Sequence, residues 1–415
     1  MALLALLAHS KSAFLDPDRN RLLKYVLAKT VYAQFCAGET PAEVSQSIQN
    51  LKRMGYSGVV LGYAKEVVMG EDETNSVGMQ TSGEAEDLSQ RRNSEEIRIW
   101  MDGTMKTVEL AEAGDFVALK FTGAGKQALE HLLRGLPPSP ELEKAIVEIC
   151  EKAKSRSVRL FFDAEQQAVQ HTIDRWTLDF QRRYNRSFTM GGQPRALVYG
   201  TYQAYLLSTP ATLARHLAAA QAEGFVLGVK LVRGAYLGSD PRHLICGSKD
   251  ETDRMYDGIA ESLITRKYGD VLKPHPQSPA SSAPQDIPPF PQVDLVLASH
   301  NRDSVKKAQA IRNWQVRTGQ PLIEMAYAQL QGMADDISCE LVQESKEVLA
   351  NKVTDRDSPR VCKYLVWGTV GECTEYLLRR GQENKDAVSR TKDTRKAMTA
   401  ELMRRFSLRS INGDD

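Results

Sequence analysis

The stretch ALVYGTYQAYLLSTPATLARHLAAAQAEGFVLGVKLVRGAY, residues 196–236, decides the fold. It opens on a short apolar run, turns, and at Thr209-Pro210 enters an alanine-rich helix that Gly224 ends. A second apolar run follows from Val226. Short runs rich in β-branched and aromatic residues read as buried strands, and Pro just inside a helix with Gly just past it marks its two ends. Strands alternating with helices argue for βα units and a parallel sheet.

The same alternation extends outward. Apolar runs at 56–62, 116–121, 158–165, 293–301, 321–332 and 361–368 join those at 196–206 and 226–236, giving eight candidate strands. Helical signals lie before, between and after them. Thr40 with Pro41, Glu43 and Gly55 is a capped helix with a capping box. Ser139-Pro140 opens another, with Leu142, Ile146, Ile149 and Ala153 on one face. Residues 302–316 and a last stretch from about 371 to 384 complete the set. Eight βα units argue for a closed α/β barrel, (β/α)8 or TIM-like, and an open doubly wound sheet is the other arrangement such alternation allows.

The expected organisation is an N-terminal helical arm over 1–55, a barrel over 56–390 and a charged helical tail over 391–415. Residues 70–98 are polar, acidic and without apolar periodicity, and read as a solvated loop outside the core. Seven of the 17 prolines fall within 271–291, which reads as an extended insertion. The opening MALLALLAHSKSAFL has too little Arg for a clear transit peptide and no small-residue cleavage site.

Composition narrows the chemistry. Of 415 residues, 42% are hydrophobic and 26% charged, enough for a large core. Lys+Arg 54 against Asp+Glu 53 leaves a net charge of +1, which gives no footprint for nucleic acid. The six cysteines are scattered without a CxxC pair and read as free thiols. The seven histidines form no HExxH or HxH, so a metal centre is not expected.

In a barrel the C-terminal ends of the strands meet at one mouth, where function is built. Here those positions are polar: Lys120, Asp163, Glu165, Gln203, Lys230, Arg233, His300, Asn301, Gln331 and Tyr364. The last helix adds Tyr376, Arg379, Arg380 and Glu383. Two adjacent guanidiniums suit a carboxylate or phosphate, although an exposed helix face with an i, i+4 pair fits the spacing as well. Gly123-Ala-Gly125-Lys-Gln-Ala128 matches the dinucleotide turn, but on the second strand rather than the first and without a closing acid.

The motifs VALKFTG, LFFDAEQ, TYQAYL, KLVRGAYL, ASHN, QLQGM and YLVWGTVGECTEYLLRRGQEN resemble, in order and spacing, those of the proline dehydrogenase (proline oxidase) family over roughly 58–384. YAQFCAGE, 32–39, is similar to its fungal mitochondrial members. The resemblance implies a distorted barrel binding FAD without a covalent bond. It would oxidise L-proline to Δ1-pyrroline-5-carboxylate by hydride transfer to flavin N5, the first step of proline catabolism. It further implies a quinone acceptor, ubiquinone, and peripheral association with the matrix side of the inner mitochondrial membrane.

By that resemblance Arg379, Arg380 and Lys120 hold the proline carboxylate, Tyr364 packs on the ring, Asp163 joins the polar network and Glu383 orients an arginine. Leu330 lines the substrate pocket, while Gln203, Lys230, Arg233, Gly234, Ala235, Tyr236, Ser299 and His300 face the flavin. Two positions depart from the pattern. Bacterial members carry Arg where Lys230 stands, and the usual Asp-Tyr-Ala after the first strand is Gly62-Tyr63-Ala64, leaving Glu66 as a substitute acid. The other readings are an NAD-dependent dehydrogenase using Gly123 and Gly125, and a catalytically inactive proline-binding barrel.

Overall fold

The computed structural model describes residues 16–64, 83–276, 288–386 and 399. The opening 1–15, Glu66, the proline-rich 277–287 and nearly all of the 391–415 tail lie outside the described residues. Eight parallel strands close a barrel in chain order: β1 (Gly58–Tyr63), β2 (Phe116–Leu119), β3 (Arg159–Phe162), β4 (Val198–Gln203), β5 (Leu227–Val232), β6 (Val293–Ala298), β7 (Met325–Leu330) and β8 (Val361–Trp367), which pairs back onto β1. Each falls inside a run read as a strand, except that β1 extends one residue further, to Tyr63. The closed ring excludes the open sheet.

Alternation along the strands builds two layers. Val60, Phe116, Phe161, Tyr199, Val296 and Cys362 turn inward and pack together, with Tyr364 against them. Leu61, Leu231, Leu297, Leu365 and Trp367 turn outward onto the helices. At the N-terminal end of the barrel Arg159 is buried, with its guanidinium 3.8 Å from the Phe116 ring centroid and 3.2 Å from Glu324.

The helices are α1 (Arg21–Leu27), α2 (Pro41–Met54), α3 (Gly83–Leu110), α4 (Lys126–Leu133), α5 (Pro140–Ser155), α6 (Gln167–Tyr184), α7 (Thr209–Glu223), α8 (Lys249–Thr265), α9 (Arg302–Arg317), α10 (Asp335–Ala350) and α11 (Thr374–Asp386). α2 carries the expected capping box, with Thr40 accepting from the Glu43 N–H and Gly55 at φ +102° closing it. All six cysteines are free.

One expectation fails. Residues 83–98, read as loop, form the first turns of α3, and Ile97 and Trp100 are buried in the core. Among the described side chains the buried register begins at Ile97, and polar contacts such as Arg98 with Glu95 and Asp102 lie on the exposed face around it.

The arm crosses the C-terminal end of β8. Cys36 bridges to Val366, the Ala37 N–H donates to the Val366 carbonyl at 2.8 Å, and the Tyr32 hydroxyl donates to Gly368 at 2.7 Å.

Candidate active site

Asp163 follows the last residue of β3 and is buried where strands from three sides converge. Lys230 of β5 donates to its Oδ1 at 2.5 Å, Thr201 of β4 reaches the same oxygen at 3.4 Å, and the Tyr364 hydroxyl donates to Oδ2 at 3.0 Å. Thr201 and Lys230 are register partners, so neighbouring strands aim both at one carboxylate. The Lys230 ammonium also lies 5.0 Å from the Phe161 ring centroid and 5.1 Å from that of Tyr364. A charge taken from water needs partners, and this one has an anion and two π faces.

Gly62 of β1 makes room for that phenol. A Cβ there would sit 3.0 Å from the Tyr364 hydroxyl. Thr201 and Gly62 were not among the expected site residues. Period-two alternation from Gln203 marks Thr201 as inward-facing, while the sequence singles out Gly62 only as a departure from the usual acid.

The flanks are braced by polar ties. Glu165 accepts from the Thr122 N–H at 3.2 Å and from its hydroxyl, holding the turn that follows Lys120. Lys120 is half-buried at the end of β2, its carbonyl taken by Trp100 Nε1 at 2.9 Å. Leu330 ends β7, and its N–H donates to His300 Nε2 at 3.1 Å. An accepting Nε2 requires a neutral ring protonated on Nδ1.

A second group lines the β5 and β6 side. Gln203 accepts from the Ala235 N–H at 3.0 Å, so it anchors the loop after β5. In that loop Arg233 pairs with Asp253 and lies 5.8 Å from the Tyr256 ring centroid. Gly234 has φ +151°, and a Cβ there would come 2.5 Å from the Tyr205 ring, so only glycine fits. Tyr236 reaches the Ala164 carbonyl at 3.4 Å. Ser299 is buried and accepts from the Asn301 N–H at 3.0 Å, while Asn301 caps α9. Gln331 donates its N–H to the Tyr364 carbonyl at 2.9 Å.

This side carries an unsatisfied donor. Arg233 Nη1 is buried without a hydrogen-bond partner, next to the exposed backbone of Gly234 and Ala235. A buried guanidinium nitrogen beside an exposed glycine backbone fits the diphosphate of a dinucleotide. Among the described residues no group of His, Cys, Asp and Glu could hold a metal ion.

α11 lies across this end of the barrel. Tyr376, Leu377 and Leu378 pack with Val366, Ala64 and Met333, and Leu330 and Tyr364 border the same cluster. Arg380 is buried and lies 5.1 Å from the Tyr376 ring centroid; Arg379 is half-buried. Both arginines are therefore drawn toward the interior. The side chain of Glu383 lies outside the described residues. The Tyr63 hydroxyl donates to Glu372 at 2.8 Å, tying β1 to the turn before α11.

The Gly-rich turn is filled from within the protein. Gly125, at φ +104°, would bring a Cβ 2.1 Å from a Glu96 carboxylate oxygen, and that oxygen accepts the Lys126 N–H at 2.8 Å. The N-terminus of α4 already holds an anion of the chain's own.

The sequence matches the proline dehydrogenase family over residues 44–393. Curated relatives include a probable mitochondrial proline dehydrogenase of Schizosaccharomyces pombe, 30% identical with 91% of this chain and 80% of the relative covered. A hydroxyproline dehydrogenase of Bos taurus is 27% identical, with 94% and 84% covered. Among solved structures, proline utilization A (PutA) from Bdellovibrio bacteriovorus inactivated by N-propargylglycine superposes with a TM-score of 0.61 at 15% identity, covering 91% of this chain and 36% of that longer one.

Proposed function

Because the chain belongs to the proline dehydrogenase family, and with it is an oxidoreductase acting on proline, we propose that it binds FAD and oxidises L-proline to Δ1-pyrroline-5-carboxylate by hydride loss from C5. The observation that supports this reading most is the convergence of Asp163, Lys230 and Tyr364 under a helix carrying Arg379 and Arg380.

Arg379, Arg380 and Lys120 bind the substrate carboxylate. A charge-assisted hydrogen bond contributes about 1.5–3 kcal/mol, and a planar fork fixes orientation as well as affinity. The Tyr364 ring packs against the pyrrolidine and excludes water from its face. Its hydroxyl is held by Asp163, which makes that carboxylate an anchor. With Lys230, Thr201 and Tyr364 all on Asp163, no free oxygen is left poised as a strong base. Proline therefore enters as the neutral amine, and its nitrogen lone pair forms the C=N bond as the C5 hydride departs.

FAD, when bound, supplies the hydride acceptor. Arg233 and the Gly234-Ala235 backbone would hold its diphosphate, and Lys230, Tyr236, Ser299 and His300 would line the remainder of the site. Gln203 acts on that site through the Ala235 loop it anchors. Glu383 is assigned to orienting an arginine of α11. The electrons then pass to a quinone of ubiquinone type, from a position on the matrix side of the inner mitochondrial membrane. The mitochondrial relatives support that location, and among the described residues no helix is long and apolar enough to cross a membrane.

The test is spectroscopic and kinetic. Purified protein should show flavin absorbance, release FAD in acid and reduce a soluble quinone with proline. Replacing Arg379 or Arg380 by Met should raise KM for proline at least roughly tenfold with flavin content intact, because losing one partner of a buried charge pair costs about 2–5 kcal/mol. A colourless protein that cannot be reconstituted would overturn the reading. Flavin binding without turnover would leave an inactive proline-binding barrel.

A further inference from the structure

Lys363 lies beside Tyr364 on β8 but points the other way, and it is 1% exposed. Its ammonium donates to the Met333 carbonyl at 3.0 Å and to Asp335 at 2.6 Å, and reaches the Leu330 carbonyl at 3.4 Å. These partners all belong to the turn between β7 and α10. The turn is fastened from other sides too: the Leu330 N–H is on His300 Nε2, and the Gln331 N–H is on the Tyr364 carbonyl. It has no slack. Ala334 sits at φ +51°, and a Cβ on Gly332, at φ +72°, would come 2.5 Å from the Gln34 carbonyl of the arm.

An apolar side chain of equal length would fill this space without stripping water from a charge. What the ammonium adds is direction, since it gathers two carbonyls and a carboxylate onto one point. We propose that Lys363 is a positioning residue of the proline site. By fixing the 330–335 turn it holds Leu330 at the substrate wall, and through the Leu330 N–H it fixes the orientation of the His300 ring. Lys363 itself touches neither substrate nor cofactor. The proposal rests on the reading of Leu330 and His300 given under Proposed function.

The test is steady-state kinetics of the flavin-loaded wild type, Lys363→Met and Lys363→Arg. Lys363→Met keeps an unbranched side chain of similar volume and removes the donors, so KM for proline should rise at least fivefold with kcat changed less than twofold. Lys363→Arg, which returns donors to the carbonyls, should recover most of that loss. A Lys363→Met protein with lowered Tm but KM within twofold of wild type would overturn the proposal, leaving Lys363 a stability residue. If Lys363→Met does not accumulate as flavoprotein, Asp335→Ala decides: its carboxylate is largely exposed, and KM should rise at least twofold at unchanged flavin content, whereas an unchanged KM overturns the proposal. A wild type that binds no flavin or turns over no proline refutes the parent reading instead.

Discussion

Tyr364 has two partners that set what its ring can do: Asp163 holds the hydroxyl at 3.0 Å, and Gly62 leaves the space that the hydroxyl occupies. If the ring packs on the pyrrolidine, the volume beside C4 is filled, and a 4-hydroxyl would lose its water partners without replacement. Such a pocket discriminates by about 1–3 kcal/mol, or roughly 10–200-fold. Tyr364→Ser should open that volume and supply a hydroxyl, so the ratio of kcat/KM for trans-4-hydroxyproline over proline should increase at least roughly tenfold. An unchanged ratio in a flavin-loaded variant would place Tyr364 outside the substrate pocket. Gly62→Ala probes the same contact from β1. Its methyl would meet the phenol oxygen at 3.0 Å, so KM for proline should rise while the rest of the barrel stays intact, as read by far-UV circular dichroism.

At the scale of elements, what the sequence disclosed followed apolar contrast. The eight strands are short buried runs, and period-two alternation within 361–368 accounts for Tyr364 turning inward and Leu365 outward. α3 escaped because its first turns lie in a polar stretch and its buried stripe starts at Ile97. α6 carries Val169, Ile173, Trp176, Phe180 and Tyr184 on its inner face, but abundant polar residues between them hide that period from a reading by composition. The site was legible as a set of polar strand ends. Its wiring was not, because the pairing of Lys230 with Asp163 depends on strands that are distant in the chain. Glu96 joins the two lessons: it belongs to the misread stretch and caps α4 from there. Glu96→Ala should cost about 0.5–2 kcal/mol through the lost cap, which for a chain of this size lowers Tm by a few degrees. It should not create NAD binding. NADH fluorescence quenching by the variant, with no flavin present, would revive the dinucleotide reading of Gly123 and Gly125.

On the scale of the whole molecule, two buried titratable groups on opposite sides of the barrel wall shape stability with opposite signs. His216 of α7 shares a 2.7 Å hydrogen bond with Tyr202, and burial, with Arg215 and Arg182 nearby, pushes its pKa down to about 3. Asp294 of β6 accepts the Ala196 N–H at 2.8 Å, its other oxygen has no hydrogen-bond partner, and burial raises its pKa to about 6. For the histidine the unfolded chain takes up a proton below about pH 6.5 while the folded one stays neutral. Stability from this group is therefore full above that pH and falls as the solution is acidified, by about 1.4 kcal/mol per unit. For the aspartate the folded state protonates first, near pH 6, and the unfolded chain only near 3.8. Burial of its charge thus costs stability above pH 6, and that cost is relieved between about 6 and 4. The two slopes oppose each other across the same window. His216→Asn, whose amide oxygen can replace Nδ1 toward Tyr202, removes the falling slope, and its Tm relative to wild type should improve as the pH drops from 6.5 to 4.5. Asp294→Asn removes the compensating slope and should show the reverse, with its greatest advantage over wild type at pH 8 and a shrinking one below pH 6. Parallel Tm-against-pH curves for wild type and both variants would mean that neither group titrates with folding.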